Sequence, residues 1–284
     1  MLGIRFLFSK LGLYSPAFTG LIILSLVDPS ASARKWYTIW MLFVPAFVLA
    51  AVMTLFTMYD ILRNTPLVIF IAAVGATALV VYALSPANRR FKTIFSQQPG
   101  EHTSALWLVL SVLMFPVVTL IVKILAYQPE ANKALIVFQG GTWAEIGRYA
   151  IVIFFITFLL GGPLGEEPGW RGFALPYLQK RHSPLRASII LGFFWSLWHA
   201  PLDITGGFEF LLPGFEGVVY RLVMMIPLTL LFTFFYNRTK GSVLIAILLH
   251  TSVNTGYELF PIQTDSSFGV YVAVLLVLAC YAVF

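Results

Sequence analysis

The sequence predicts an all-α fold: a polytopic membrane helical bundle of eight or nine hydrophobic helices with an intramembrane polar cavity. Three observations predict it. Of the 284 residues, 59% are hydrophobic and only 11% charged, whereas a soluble domain carries about a quarter charged residues. Several uncharged runs reach roughly 17–24 residues, enough to cross a hydrocarbon core of about 30 Å. Basic residues fall in alternate loops between those runs, the asymmetry of a cytoplasmic face. The formal charge of +6 therefore reads as loop charge, and membrane lipid, not nucleic acid, is the expected surrounding.

The elements follow in order. Leu11–Val27 is short and interrupted by Pro16, so it either spans or lies at the interface. Trp36–Tyr59, Pro66–Leu84, Ser104–Tyr127 and Ile146–Leu164 are clearer spans, followed by Ala187–Ile204, Val218–Tyr236, Ser242–Tyr257 and Phe268–Phe284. Residues 1–284 read as one membrane domain without internal repeat or linker. Backbone groups in lipid must be satisfied internally, which favours helices, and the even short-strand alternation of a barrel is missing. Arg5 and Lys10 precede an apolar run without a small-residue cleavage site, so no cleavable signal peptide is expected. Cys280, the one cysteine, excludes an intrachain disulfide and reads as a small apolar filler in the last span.

Orientation follows from Arg34, Lys35, Arg89, Arg90, Lys92, Lys180, Arg181, Arg186, Arg238 and Lys240, which share one side and should be cytoplasmic. The opposite loops hold Arg63, Lys133, Arg148 and Arg221, with Lys123 close by. If Leu11–Val27 does not cross, Arg5 and Lys10 join the cytoplasmic set and eight spans remain, the reading favoured here.

Three polar clusters interrupt the apolar helices, and a charge at bilayer depth costs about 2.5–3.5 kcal/mol or more. Glu167 and Arg171 stand four apart with the acid N-terminal, the favourable ion-pair order. Glu166 is turned about 100° from its neighbour and needs a partner of its own. Gly161, Gly165 and Gly169 form a ridge for close helix approach. Pro168 cannot donate to the carbonyl of Leu164, so a kink or a helix end is expected beside the acids. His199 follows Trp195 by one turn, and an antiparallel pairing about the basic turn near Ser183 brings it level with Glu166. His250 and Asn254 share a face near mid-bilayer. Asp203, four residues after His199, reads as an interfacial helix-end acid before an orienting partner. Glu209 and Glu216, in the loop Gly206–Gly217, read as solvated charges.

One carboxylate, two imidazoles, a carboxamide and an arginine at depth form a water-activating set. A carboxylate in a low-dielectric pocket is a better general base than one in water. Glu166 would deprotonate a water held between it and His199, while His250 and Asn254 would hold the oxyanion of a tetrahedral intermediate. The implied reaction is amide hydrolysis without a covalent intermediate. Ser196 shares the helix of His199 but is displaced from it, and no second motif frames it as a nucleophile.

These residues resemble the CAAX protease and bacteriocin-processing family of intramembrane glutamic endopeptidases. Its pattern E-E-x-x-x-R, F-x-x-x-H, H-x-x-x-N is matched by Glu166-Glu167-x-x-x-Arg171, Trp195 to His199, and His250 to Asn254, with tryptophan in place of phenylalanine. The resemblance covers roughly 146–257 as a catalytic core. It implies that Glu166 is the base, that His199 orients the water, that His250 and Asn254 stabilise the oxyanion, and that Glu167 and Arg171 support the site. The aromatic exchange at 195 is expected to alter packing and spare chemistry. A protein or peptide substrate is implied, prenylated in the best understood members, with no cofactor and with the cavity opening to the cytoplasm. Two other readings fit the same residues. Glu166, His199 and His250 have the composition of a zinc site, although no H-E-x-x-H motif is present. A non-enzymatic immunity or scaffold protein would use the same fold. A transporter fits less well, because no inverted repeat is visible.

Overall fold

Long uncharged segments fold as helices because lipid leaves no other partner for their amides. The computed structural model describes residues 105–126, 143–160, 162–204, 214–262 and 266–283, and among these residues every regular element is helical. They are α1 (Ala105–Leu125), α2 (Trp143–Leu160), α3 (Pro163–Gly169), a π-helical turn (Trp170–Ala174), α4 (Leu175–Gln179), α5 (Pro184–Ile204), α6 (Phe215–Arg238), α7 (Val243–Leu259) and α8 (Ser266–Val283). The expected spans Leu11–Val27, Trp36–Tyr59 and Pro66–Leu84 lie outside the described residues, as do His102 and Glu209.

Three described helices are long and apolar enough to cross a membrane: α1, α5 and α6. A fourth is added if the bent pair Gly147–Leu159 and Pro163–Gln179 is one span. The expected count of eight or nine does not follow from these residues. The expected single run Ile146–Leu164 is instead two helices, broken at Gly162, whose φ of 106° suits a residue without a Cβ. The acids consequently sit in a separate short helix.

The outward faces explain the composition. On α1, Ser111, Phe115, Val118, Thr119 and Val122 form one buried stripe, while Leu106, Leu113, Val117 and Ile124 face outward. Such exposed leucine and isoleucine suit lipid, not water. Cys280 is exposed on α8, so the filler role expected for it is corrected: it faces outward from the bundle.

α7 is the central post. It packs against α1, α2, α3 and α6, and its residues from Val243 to Gly256 are largely buried. Its start is set by the preceding turn, where Lys240 and Gly241 have φ of 55° and 84° and Gly241 N–H donates to the carbonyl of Tyr236 at 2.8 Å. Ser242 then caps the helix by accepting from the Ile245 N–H. At the other end, a Cβ on Gly256 would stand 2.9 Å from Thr119 Oγ1 and 3.0 Å from the backbone of Phe115, so glycine permits the α1–α7 crossing.

α5 and α6 run antiparallel. Ser188 at the start of α5 hydrogen-bonds Thr233 near the end of α6 (2.7 Å), and Asp203 at the end of α5 pairs with Arg221 near the start of α6. Gly192 keeps their backbones close, since a Cβ there would meet Thr229, Ile226 and Met225 at 3.1–3.2 Å. The turn 180–183 folds α4 back against α5, which brings the acids of α3 beside Trp195.

Candidate active site

The local sequence places the acids. Pro168 has no N–H for the carbonyl of Leu164, and Pro176 none for that of Gly172, so the α-helical ladder is relaxed over this stretch. The chain does not end there. It passes through a single π turn, closed by the Leu175 N–H to the Trp170 carbonyl, and continues. Gly165 and Gly169 are buried where α3 packs on α7.

Glu167 is the hub of the charged groups. It is fully buried and accepts two hydrogen bonds from Arg171 Nη1, at 2.8 Å to Oε1 and 3.0 Å to Oε2. Its Oε1 also meets His250 Nδ1 at 2.8 Å. The expected Glu167–Arg171 pair is therefore present, with an imidazole from α7 on the same oxygen. The Arg171 guanidinium lies between two rings, 4.1 Å from the Trp195 centroid and 4.2 Å from that of Phe232. Among the described residues its Nε and Nη2 find no hydrogen-bond acceptor.

Glu166 points away from that hub. Only 1% exposed, it accepts from the indole Nε1–H of Trp195 at 2.8 Å on Oε2. Trp195 occupies the middle of the cluster. Its ring centroid is 5.3 Å from that of His250 and 6.1 Å from that of His199. His199 Nδ1 lies 2.9 Å from the Trp195 carbonyl. A carbonyl only accepts, so Nδ1 carries the proton and Nε2 of a neutral ring is an acceptor.

The structure thus brings Glu166, Glu167, Arg171, His199 and His250 around one indole, from the α3 segment, α5 and α7. Asn254 is half-buried one turn after His250 on α7. Among the described residues no group of three His, Cys, Asp or Glu side chains is arranged to hold a metal ion. His182 is exposed in the α4–α5 turn, and Glu216 is exposed in the first turn of α6, as expected for a solvated charge.

Asp203 requires a correction. It is 1% exposed and grips Arg221, with Nη2 at 2.6 Å from Oδ1 and Nε at 3.1 Å from Oδ2. The residue read as an interfacial acid is thus half of a buried, bidentate ion pair. Sequence reasoning missed Arg221 altogether, having counted it as loop charge. The usable signal was an arginine three residues inside the apolar run from Val218, an expensive position unless paired.

Beside the polar cluster lies an apolar groove of about 550 Å³, lined by Trp170, Phe173, Tyr177, Phe194, Leu197 and Trp198 among others. Trp198 joins the two features, with its ring 4.7 Å from that of His199 and 6.2 Å from that of Trp170. Phe194, Tyr177 and Leu197 are partly exposed on the outer face, so the groove opens sideways.

Residues 148–256 match the family of Rce1-like type II CAAX prenyl endopeptidases. The matched segment makes up 109 of the 284 residues. All six residues expected at the site lie within it. A curated relative, the CAAX prenyl protease 2 of Methanococcus maripaludis, is 30% identical over 158 residues, covering 54% of this chain and 56% of the relative. The chain accordingly spans about half the length of that relative. The match over residues 148–256 and the helices long and apolar enough to cross a bilayer together make this a membrane protein.

Proposed function

We propose that this CAAX prenyl endopeptidase-like chain is an intramembrane endopeptidase that hydrolyses a peptide bond with a water activated by Glu166. One observation carries the reading. A carboxylate and two imidazoles from three separate segments are buried around one indole, beside a groove open to lipid. Helices crossing lipid do not gather such groups without a compensating role.

In this mechanism Glu166 takes a proton from water while the oxygen attacks the scissile carbonyl carbon. His199, whose Nδ1 is directed at the helix carbonyl, accepts from the same water through Nε2 and fixes its direction. The oxyanion falls to His250 Nε2 and the Asn254 amide. Because His250 already directs Nδ1 at Glu167, Nε2 donates only while the ring carries a proton on each nitrogen. The Glu167 carboxylate, held by Arg171, is the countercharge to that state. As the C–N bond breaks, Glu166 passes its proton to the leaving nitrogen. Water and peptide have become a carboxylic acid and an amine, and the base is restored.

The groove gives the substrate its second anchor. Its volume falls within the roughly 300–1,000 Å³ of pockets that enclose small ligands. Its aromatic and aliphatic walls suit the isoprenoid chain of a prenylated protein or peptide, which would enter from the bilayer while the peptide reaches the polar cluster. By the placement of basic residues the cavity opens to the cytoplasm. No cofactor is required by this mechanism. Full activity after stringent chelation, with no bound metal by elemental analysis, separates it from a zinc-dependent one.

The test is comparative proteomics of membrane peptides from cells carrying wild type or Glu166→Gln. The protease reading expects peptides that depend on the carboxylate. An immunity or scaffold protein would keep its function with the near-isosteric amide and show no such peptides.

A further inference from the structure

Position 195 holds tryptophan where the resembled pattern has phenylalanine, and the difference reaches the chemistry. A phenyl ring can only pack. The indole donates its Nε1–H to Glu166 Oε2 at 2.8 Å. We infer that Trp195 is a positioning residue: its side chain holds one oxygen of Glu166, so that the other faces the water, and its carbonyl fixes the ring of His199 opposite.

The geometry supports this in three ways. Glu166 has two chemically equivalent oxygens, and an unanchored carboxylate would share the basic role between them over a range of rotations. A donor on Oε2 removes that freedom and leaves Oε1 as the single site for the transferred proton. The donor is itself immobile. Trp195 is 1% exposed, with its ring against the Arg171 guanidinium at 4.1 Å and edge-to-face with Phe232 at 5.6 Å and His250 at 5.3 Å. A group so enclosed directs its N–H along one line. Finally, the same residue accepts from His199 Nδ1 through its carbonyl at 2.9 Å. One residue thereby orients both the base and the imidazole proposed to share the water.

The bond survives the reaction cycle. When Oε1 carries the proton, Oε2 becomes the carbonyl oxygen of the acid and still accepts from the indole. No proton passes through Trp195, and the donor needs no reset between turnovers.

This inference rests on the hydrolytic reading of Glu166, and its test separates the two. Trp195→Phe deletes the donor while keeping an aromatic ring and the backbone carbonyl. On a prenylated peptide, kcat should fall about 10–100-fold, the usual loss when an orienting partner is removed, with KM within about twofold. If Trp195→Phe does not fold, benzothienylalanine at 195 keeps the indole shape and lacks only the N–H, and the same split is expected. Separately, the indole N–H resonance of Trp195 in 15N-labelled protein should move when Glu166 is changed to glutamine. A resonance that stays in place, or wild-type kcat from the donor-deleted proteins while Glu166→Gln is inactive, overturns the inference and leaves the protease reading intact. An active Glu166→Gln overturns the protease reading and this inference together.

Discussion

Glu167 carries two donors on one carboxylate, and its replacement offers a quantitative test of how the buried charges are held. Glu167→Gln keeps the shape but removes the countercharge from Arg171 and places an amide NH₂ towards one of two existing donors, Arg171 Nη1 or His250 Nδ1. Breaking a buried pair from one side costs about 3–5 kcal/mol. The faces of Trp195 and Phe232 lie against the guanidinium in both proteins, so their cation–π attraction cancels in the comparison. A loss of about 3–5 kcal/mol is expected. Arg171→Met should cost a similar amount, because it leaves a buried carboxylate with only His250. The double variant should lose far less than the sum, since an apolar replacement of both partners is close to neutral. The assay is thermal unfolding in detergent followed by intrinsic tryptophan fluorescence, arranged as a double-mutant cycle. Single losses below about 1 kcal/mol, or strictly additive losses, would refute the claim that Glu167 is the electrostatic hub.

Other expectations follow from named contacts. Asp203→Asn should destabilise by about 3–5 kcal/mol by removing the buried countercharge of Arg221, and Asp203→Leu with Arg221→Met should recover most of that in the same unfolding assay. Gly256→Ala should cost about 1–3 kcal/mol through overpacking, because its Cβ would press on the Phe115 backbone and α1 must move. Leu197→Trp should fill the lipid-facing groove, raising KM for a prenylated peptide while leaving turnover of its unprenylated counterpart unchanged.

Much of the fold was legible because lipid makes helix the only option for an uncharged run. The expected Ala187–Ile204 and Val218–Tyr236 appear as Pro184–Ile204 and Phe215–Arg238. The break at Gly162 was not legible, since hydropathy runs through it and only backbone conformation reveals it. Counting from the turn near Ser183 levels Glu166 with His199 on α5; the structure confirms that the acid meets α5, with its hydrogen bond to Trp195, one turn before His199. Within the site, pairs four apart on one helix could be read, as Glu167 and Arg171 were. Partners from different helices could not. Asp203 and Arg221 lie 18 residues apart on α5 and α6, and each alone resembles a helix-end charge. The Glu167–His250 contact spans 83 residues and has no local signature. Trp195 was read as packing because aromatic positions in a greasy helix usually are, and only the direction of its N–H shows otherwise.

The most direct test of the account is turnover of a prenylated CAAX-type peptide by purified wild type and Glu166→Gln under identical conditions. The account predicts peptide-bond cleavage by wild type, and loss of turnover in the variant with its unfolding temperature preserved. Equal turnover by the two proteins would contradict the assignment of Glu166 as the base, and with it the site built around Trp195.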